Sequence, residues 1–247
     1  MFYYKIVDTI VAYLPLYERT RKQMEKYRIA PGAEIKPEVT IKFPEGFLKE
    51  KEAEYPHLTQ EDLEYIYVGS EFYRALIHMG RGFMLHASSI DVDGEGYLFS
   101  APSGTGKSTH TGFWKTVFKE RVRYVNDDKP AIREEEGIHY VYGTPFSGKT
   151  DLNENIRVPI RGVVVLERES NYIRQLSPKE ALYPLLNQIE KPLIDADMYK
   201  LLNLLDQLLN KVPVYLLRCT ATEEAARMAF RYMKDQKYEK LYEVVKK

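Results

Sequence analysis

A chain of 247 residues, 44% of them hydrophobic, suffices for one large domain, or a core domain with a small appendage, around a sizeable interior. Its 36 basic and 36 acidic residues cancel, so no overall field draws it to nucleic acid or to an anionic membrane, and neither is expected as a partner. A single cysteine, Cys219, excludes an internal disulfide, and the apolar Phe2 to Pro15 is too short and too interrupted by Lys5 and Asp8 to span a bilayer. With no signal-peptide cleavage pattern, the expectation is a soluble protein of the reducing cytoplasm.

Neither an internal repeat nor a low-complexity tract is found along the chain. Residues 1 to 58 read as a small β-rich N-terminal unit: Val39, Ile41 and Phe43 alternate with polar neighbours, and Pro15, Pro31-Gly32, Pro37 and Pro44 punctuate the segment. Lys49 to Glu54 is a charged stretch and reads as a solvated loop. Residues 59 to 247 read as the main core. Thr59 and Asp62 suit a helix start, Leu63, Ile66, Tyr67 and Phe72 to Leu76 carry its apolar face, and Gly80 and Gly82 end it.

Phe83 to Asp91, a turn at Asp93 to Gly96, and Tyr97 to Ser100 then read as a β-hairpin. Thr109 to Phe118 is a helix and Arg123 to Val125 a short strand. Tyr140 to Tyr142 and Gly162 to Leu166 are further strands, the second so rich in valine that it reads as buried on both faces. Ser177-Pro178-Lys179-Glu180 sets a capping serine, a first-turn proline and a reciprocal glutamate in order. Leu201, Leu204, Leu205 and Leu208 form one helical stripe, and Val214 to Leu217 is a strand. Thr220 with Glu223 caps a last helix, whose Ala225, Met228, Ala229 and Tyr232 share a face. Strands and helices mix throughout, which gives an α/β class with a central mixed β-sheet.

Residues 97 to 109 read Tyr-Leu-Phe-Ser-Ala-Pro-Ser-Gly-Thr-Gly-Lys-Ser-Thr. An apolar strand, a glycine-bearing turn and a helix start, in that order, build a phosphate-binding loop. Backbone N–H groups across Ser103, Gly104, Thr105, Gly106 and on to Thr109 would line a concave anion site, at which the helix aims its positive end. Lys107 would neutralise the outer phosphates, and the Ser108 hydroxyl would sit on Mg²⁺. The spacing G-x-x-x-x-G-K-[ST] holds except at its first position, Ala101, which serves only at negative φ.

Asn126-Asp127-Asp128 follows a strand some way beyond the loop. One carboxylate can hold Mg²⁺ and the other can take or orient a hydroxyl proton; neighbours on an extended chain point oppositely, so the two divide these tasks. His86, beside Met84 and Leu85, reads on its own as a structural histidine, and Cys219 as a small buried apolar residue. Thr144 to Lys149 reads as a mobile surface loop, with Lys149 in reach of a phosphate as the alternative. Arg157 and Arg161 flank a strand start, and an arginine beside a transferring phosphoryl group stabilises its charge.

In sequence order, Leu85-His86-Ala87-Ser88, the loop Ser103 to Ser108, Asp127-Asp128 and Ile160-Arg161-Gly162 resemble the kinase core shared by HPr kinase/phosphorylase and, more distantly, phosphoenolpyruvate carboxykinase. The resemblance covers residues 80 to 168 by motif and implies a P-loop kinase core with C-terminal helices over residues 59 to 247. It implies ATP and Mg²⁺ as cofactors, with Lys107 and the loop amides on the phosphates and Ser108 and Asp128 on the metal. Asp127, with His86, would handle the substrate proton, and Arg161 would support the phosphoryl group or a protein substrate. Members are often multimers, so a homo-oligomer is implied too. Two departures stand out: Ala101 replaces the first loop glycine, and Pro159 stands where HPr kinases carry a glutamate. The function implied is therefore phosphorylation of a hydroxyl acceptor other than HPr, a peptide or protein serine or a small molecule. The rivals are a nucleotide-binding switch or degenerate pseudokinase without phosphotransfer, and an ATPase that transfers to water.

Overall fold

The structure, a computed structural model, describes residues 1–30, 35–169 and 171–235. The Pro31-Gly32 turn lies outside the described residues. The chain opens with β1 (Phe2–Ile6) and β2 (Thr9–Tyr13), an antiparallel pair turned at Val7-Asp8. After α1 (Glu18–Glu25), the two-residue β3 (Val39–Thr40) adds parallel to β2. The charged stretch is helical, not a loop: α2 (Phe47–Glu54) buries Leu48 and stacks Phe47 on Phe43 at 5.1 Å. Phe47 also meets the Tyr67 ring at 4.9 Å, and these apolar contacts set the helix while its charges face water.

Next comes α3 (Gln60–His78), where Thr59 Oγ1 accepts from Asp62 N–H and the Asp62 carboxylate accepts from Thr59 N–H. The hairpin is β5 (Ala87–Val92) and β6 (Glu95–Ser100), with the short β4 (Phe83–Met84) ahead of it. Its turn, Asp93-Gly94, has both residues at positive φ. α4 (Lys107–Phe118) and β7 (Val122–Asn126) follow, then β8 (Ala131–Glu135), β9 (Ile138–Tyr142), β10 (Arg157–Arg168) and β11 (Tyr172–Leu176). The chain continues through α5 (Pro178–Leu186), α6 (Asp195–Lys211), β12 (Val214–Cys219) and α7 (Glu223–Asp235). α7 is capped by Thr222, whose Oγ1 accepts from Ala225 N–H, rather than by Thr220.

β10 is parallel to both β6 and β12, while β5 runs antiparallel to β6 and β7. The carboxyl ends of β7, β6, β10 and β12 therefore share one edge of the sheet with the amino end of β5. In open α/β sheets that edge is where ligands bind. Val163 and Val164 are both fully buried, one facing the core under α5 and α6, the other the core under α4 and α7. A third core joins Tyr4, Ile6 and Val11 of the N-terminal strands to Phe72 of α3 and to Ala131 and Phe146. Among the described residues, no helix is long and apolar enough to cross a membrane.

Candidate functional site

The loop after β6 turns through two left-handed glycines, Gly104 at φ +78 and Gly106 at φ +110. Only glycine takes that conformation without cost. Ala101, by contrast, is not at positive φ, and it is buried against the core under α4, so its methyl costs the turn nothing. Thr105 N–H crosses the loop to the Pro102 carbonyl at 3.3 Å, and His110 N–H makes a first helical bond to Gly106 at 2.9 Å. Lys107 is buried and folds back across the loop, its Nζ donating to the Ala101 carbonyl at 2.8 Å and reaching that of Pro102 at 3.5 Å. Burial pushes its ammonium below the ordinary lysine range, while Asp128 and then Asp127 pull it back up. Ser103, Gly104, Ser108 and Thr109 are exposed around it.

The Asp pair is built by Asn126. Its Oδ1 accepts from Asp128 N–H at 2.9 Å and from Lys129 N–H at 2.7 Å. Its amide donates to the Thr144 carbonyl at 2.9 Å. The two carboxylates point apart. Asp127 turns inward, accepting from Ser88 Oγ at 2.6 Å and from Thr150 Oγ1 at 3.1 Å. Ser88 Oγ also meets Thr111 Oγ1 at 2.8 Å, and Thr111 lies one helical turn beyond Ser108 on the same face of α4. Asp128 turns toward His86, whose Nε2 stands 3.3 Å from Oδ1, and packs against Gly148, where a Cβ would sit 3.1 Å from its own. His86 is held by Gln188: its N–H donates to the Gln188 carbonyl at 2.8 Å, and Nδ1 meets Oε1 at 2.9 Å. His86 is thus paired with Asp128, not with Asp127: the N–H of Ala87, next in the chain, donates to the Asp128 carbonyl at 3.0 Å and sets the two residues side by side.

Arg161 is not brought to the loop. It lies seven positions before the strand end, about 23 Å at strand rise, and donates to the Met233 and Lys234 carbonyls near the end of α7 at 3.1 and 3.2 Å. Arg157 is held by Glu135, Tyr142 and the Tyr140 ring. The arginine that does reach the loop is Arg168, at the end of the same strand: Nε donates to the Thr105 carbonyl at 2.8 Å and a terminal nitrogen to that of Gly104 at 2.6 Å. Nor is the Thr144 to Lys149 segment a surface loop: Thr144, Phe146 and Ser147 are buried, Gly148 packs against Asp128, and Thr150 just beyond donates to Asp127. Thr150, Gln188 and Arg168 carry no motif of their own, so only their contacts in the fold reveal them; Ser88 stands in the Leu85 to Ser88 stretch without an assigned role.

Two clefts flank the loop. One, of about 600 Å³, runs past Pro102, Ser103, Arg168, Pro184 and Gln188 toward His86. The other, of about 500 Å³, lies beside Gly106, Thr109, His110, Cys219 and Thr220. No group of three or more His, Cys, Asp or Glu side chains that could hold a metal by itself occurs among the described residues. A lone hydroxyl and one or two carboxylates fit Mg²⁺, which keeps waters and takes substrate phosphates for the rest of its shell.

Neither a family model nor a curated protein matches the chain. Among solved structures it is similar to the HPr(Ser) kinase/phosphatase from Coxiella burnetii, at 11% identity and a TM-score of 0.38 over 61% of this chain and 95% of that one.

Proposed function

We propose that this chain is a cytoplasmic ATP- and Mg²⁺-dependent phosphotransferase of the HPr kinase type, moving the γ-phosphoryl group to a hydroxyl on a peptide, protein or small molecule. One observation carries the reading: Lys107 opens α4 behind two left-handed glycines, and Ser88 Oγ ties that helix to the Asp127-Asp128 turn, meeting Thr111 at 2.8 Å and donating to Asp127 at 2.6 Å. The loop amides and the α4 N-terminus would hold the polyphosphate. Lys107 would exchange its carbonyl partners for an outer phosphate oxygen, regaining a charged partner for its buried ammonium. Asp127 lies on the Ser108 side through Ser88 and Thr111, which favours Ser108 and Asp127 as the oxygen donors to the metal. Mg²⁺ bound there would neutralise charge on the phosphate oxygens. Asp128, half-exposed and backed by His86, is the better placed of the two to take the acceptor's proton. This exchanges the aspartate roles that the resemblance implied.

The test is γ-labelled ATP with Mg²⁺ and separate peptide, protein and metabolite pools. Label enters one pool, and Lys107→Ala lowers transfer by about 100-fold or more with an unchanged melting curve. Equal transfer by that variant sinks the reading. Stabilisation by nucleotide without any labelled product would make the chain a nucleotide-binding switch, and phosphate release without an acceptor would make it an ATPase.

A further inference from the structure

A phosphate nest works only if its amides face inward. The C=O and N–H of one peptide unit point opposite ways across a rigid plane. Holding the Gly104 carbonyl outside the loop therefore turns the Thr105 N–H inward, and holding the Thr105 carbonyl outside turns the Gly106 N–H inward. Arg168 holds both carbonyls, at 2.6 and 2.8 Å. The inward direction is visible at Thr105, whose N–H reaches across the loop to Pro102.

Beside Arg168, the one hydrogen bond on these two peptide units among the described residues is that 3.3 Å contact from Thr105 N–H to Pro102, and it touches only the first of them. A Cβ on Gly104 would find nothing within 4 Å, and one on Gly106 would find only the Arg168 guanidinium, at 4.0 Å. Glycine at both positions leaves the backbone free to rotate, so the unclamped loop has many competing states. Arg168 itself is uncommitted in charge. Its neighbours Glu167 and Glu169 both pair with Arg218, at 2.9 and 3.0 Å, and among the described residues Arg168 makes no ion pair. A guanidinium bonded only to neutral carbonyls keeps its field, and this one stands at the rim of both clefts.

We propose that Arg168 is the positioning residue of the phosphate loop: its planar fork clamps two successive peptide planes so that the Thr105 and Gly106 amides face a nucleotide's polyphosphate. The ligand in this statement rests on the function proposed above; the clamp does not. The geometry suits arginine and not lysine, because two carbonyls are held at once by two nitrogens of one rigid plane.

The experiment compares wild type with Arg168→Met and Arg168→Lys. Backbone ¹⁵N relaxation is first recorded without nucleotide. Clamping predicts order parameters near 0.85, roughly, at Thr105 and Gly106 in wild type, and below about 0.6 in both variants. Calorimetric titration with Mg-ATP and with inorganic tripolyphosphate then gives dissociation constants about tenfold or more higher in Arg168→Met. Arg168→Lys recovers little of that loss. Unchanged order parameters in Arg168→Met would overturn the clamp, as would wild-type affinity in Arg168→Lys, which would mean that charge alone acts. Should wild type bind neither ligand, the nucleotide reading falls, and the relaxation data still decide the clamp.

Discussion

His110 shows how far single side chains in this site are committed to packing. It sits within α4, its Nε2 accepting from Trp114 Nε1 at 3.0 Å and its Nδ1 standing 3.8 Å from Cys219 Sγ. Burial lowers its proton affinity to about 4, and lowers that of His139 likewise. An unfolded histidine titrates near 6.5, so between the two values the unfolded chain holds a proton that the folded chain lacks. Stability is then fully present above about pH 6.5 and declines as pH falls toward about 4, by at most about 3 kcal/mol per histidine. Urea midpoints at about pH 7.5 and about pH 5 should show the fall, and a His110→Gln/His139→Gln chain should show less of it. Burial also pushes the Cys219 thiol up to about 11, which keeps it protonated and agrees with its reading as a packing residue.

Two glycines at element ends test different kinds of constraint. Gly94 in the β5–β6 turn has φ +86 and open space around it, so Gly94→Ala meets only backbone strain, about 1 kcal/mol. At Gly143, just after β9, an added Cβ would lie on the Glu154 carbonyl oxygen and 2.7 Å from that of Val125. Gly143→Ala should therefore cost about 3 kcal/mol or more, because two backbone segments must part. Chemical denaturation of the two variants orders these costs, and equal values would contradict the close approach at Gly143. Elements with local grammar were legible: the Thr59 and Ser177 capping boxes place α3 and α5 as expected. β8 and β11 were missed because Arg133, Glu134 and Glu135 in one, and Arg174 and Gln175 in the other, dilute the apolar signal; their pairing with β9 and β12 supplies the missing stabilisation.

The N-terminal segment is tied to α3 and to the site by separate sets of hydrogen bonds around one shared apolar core. Glu64 on α3 is fully buried and accepts from Tyr13 Oη at 2.7 Å and from the Leu16 and Tyr17 N–H groups at 2.5 and 3.1 Å. Farther on, Tyr27 Oη donates to Asn153 at 2.9 Å, and Gln23 reaches the Gly148 carbonyl at 3.3 Å, beneath Asp128. A shared core predicts one calorimetric unfolding transition, shifted as a whole by Glu64→Ala with a loss of about 3 kcal/mol; two separate transitions would show independent units. The glycine turn before α4, the turn carrying the Asp pair and most helices could be read directly, since each depends on neighbours within a few residues: a glycine at positive φ, a cap three positions on, a stripe at helical spacing. Which arginine serves the loop, which aspartate meets His86, and that residues 144 to 150 underlie both carboxylates were settled only by strand direction and register. Those relations are between residues far apart in the chain, and no local spacing encodes them.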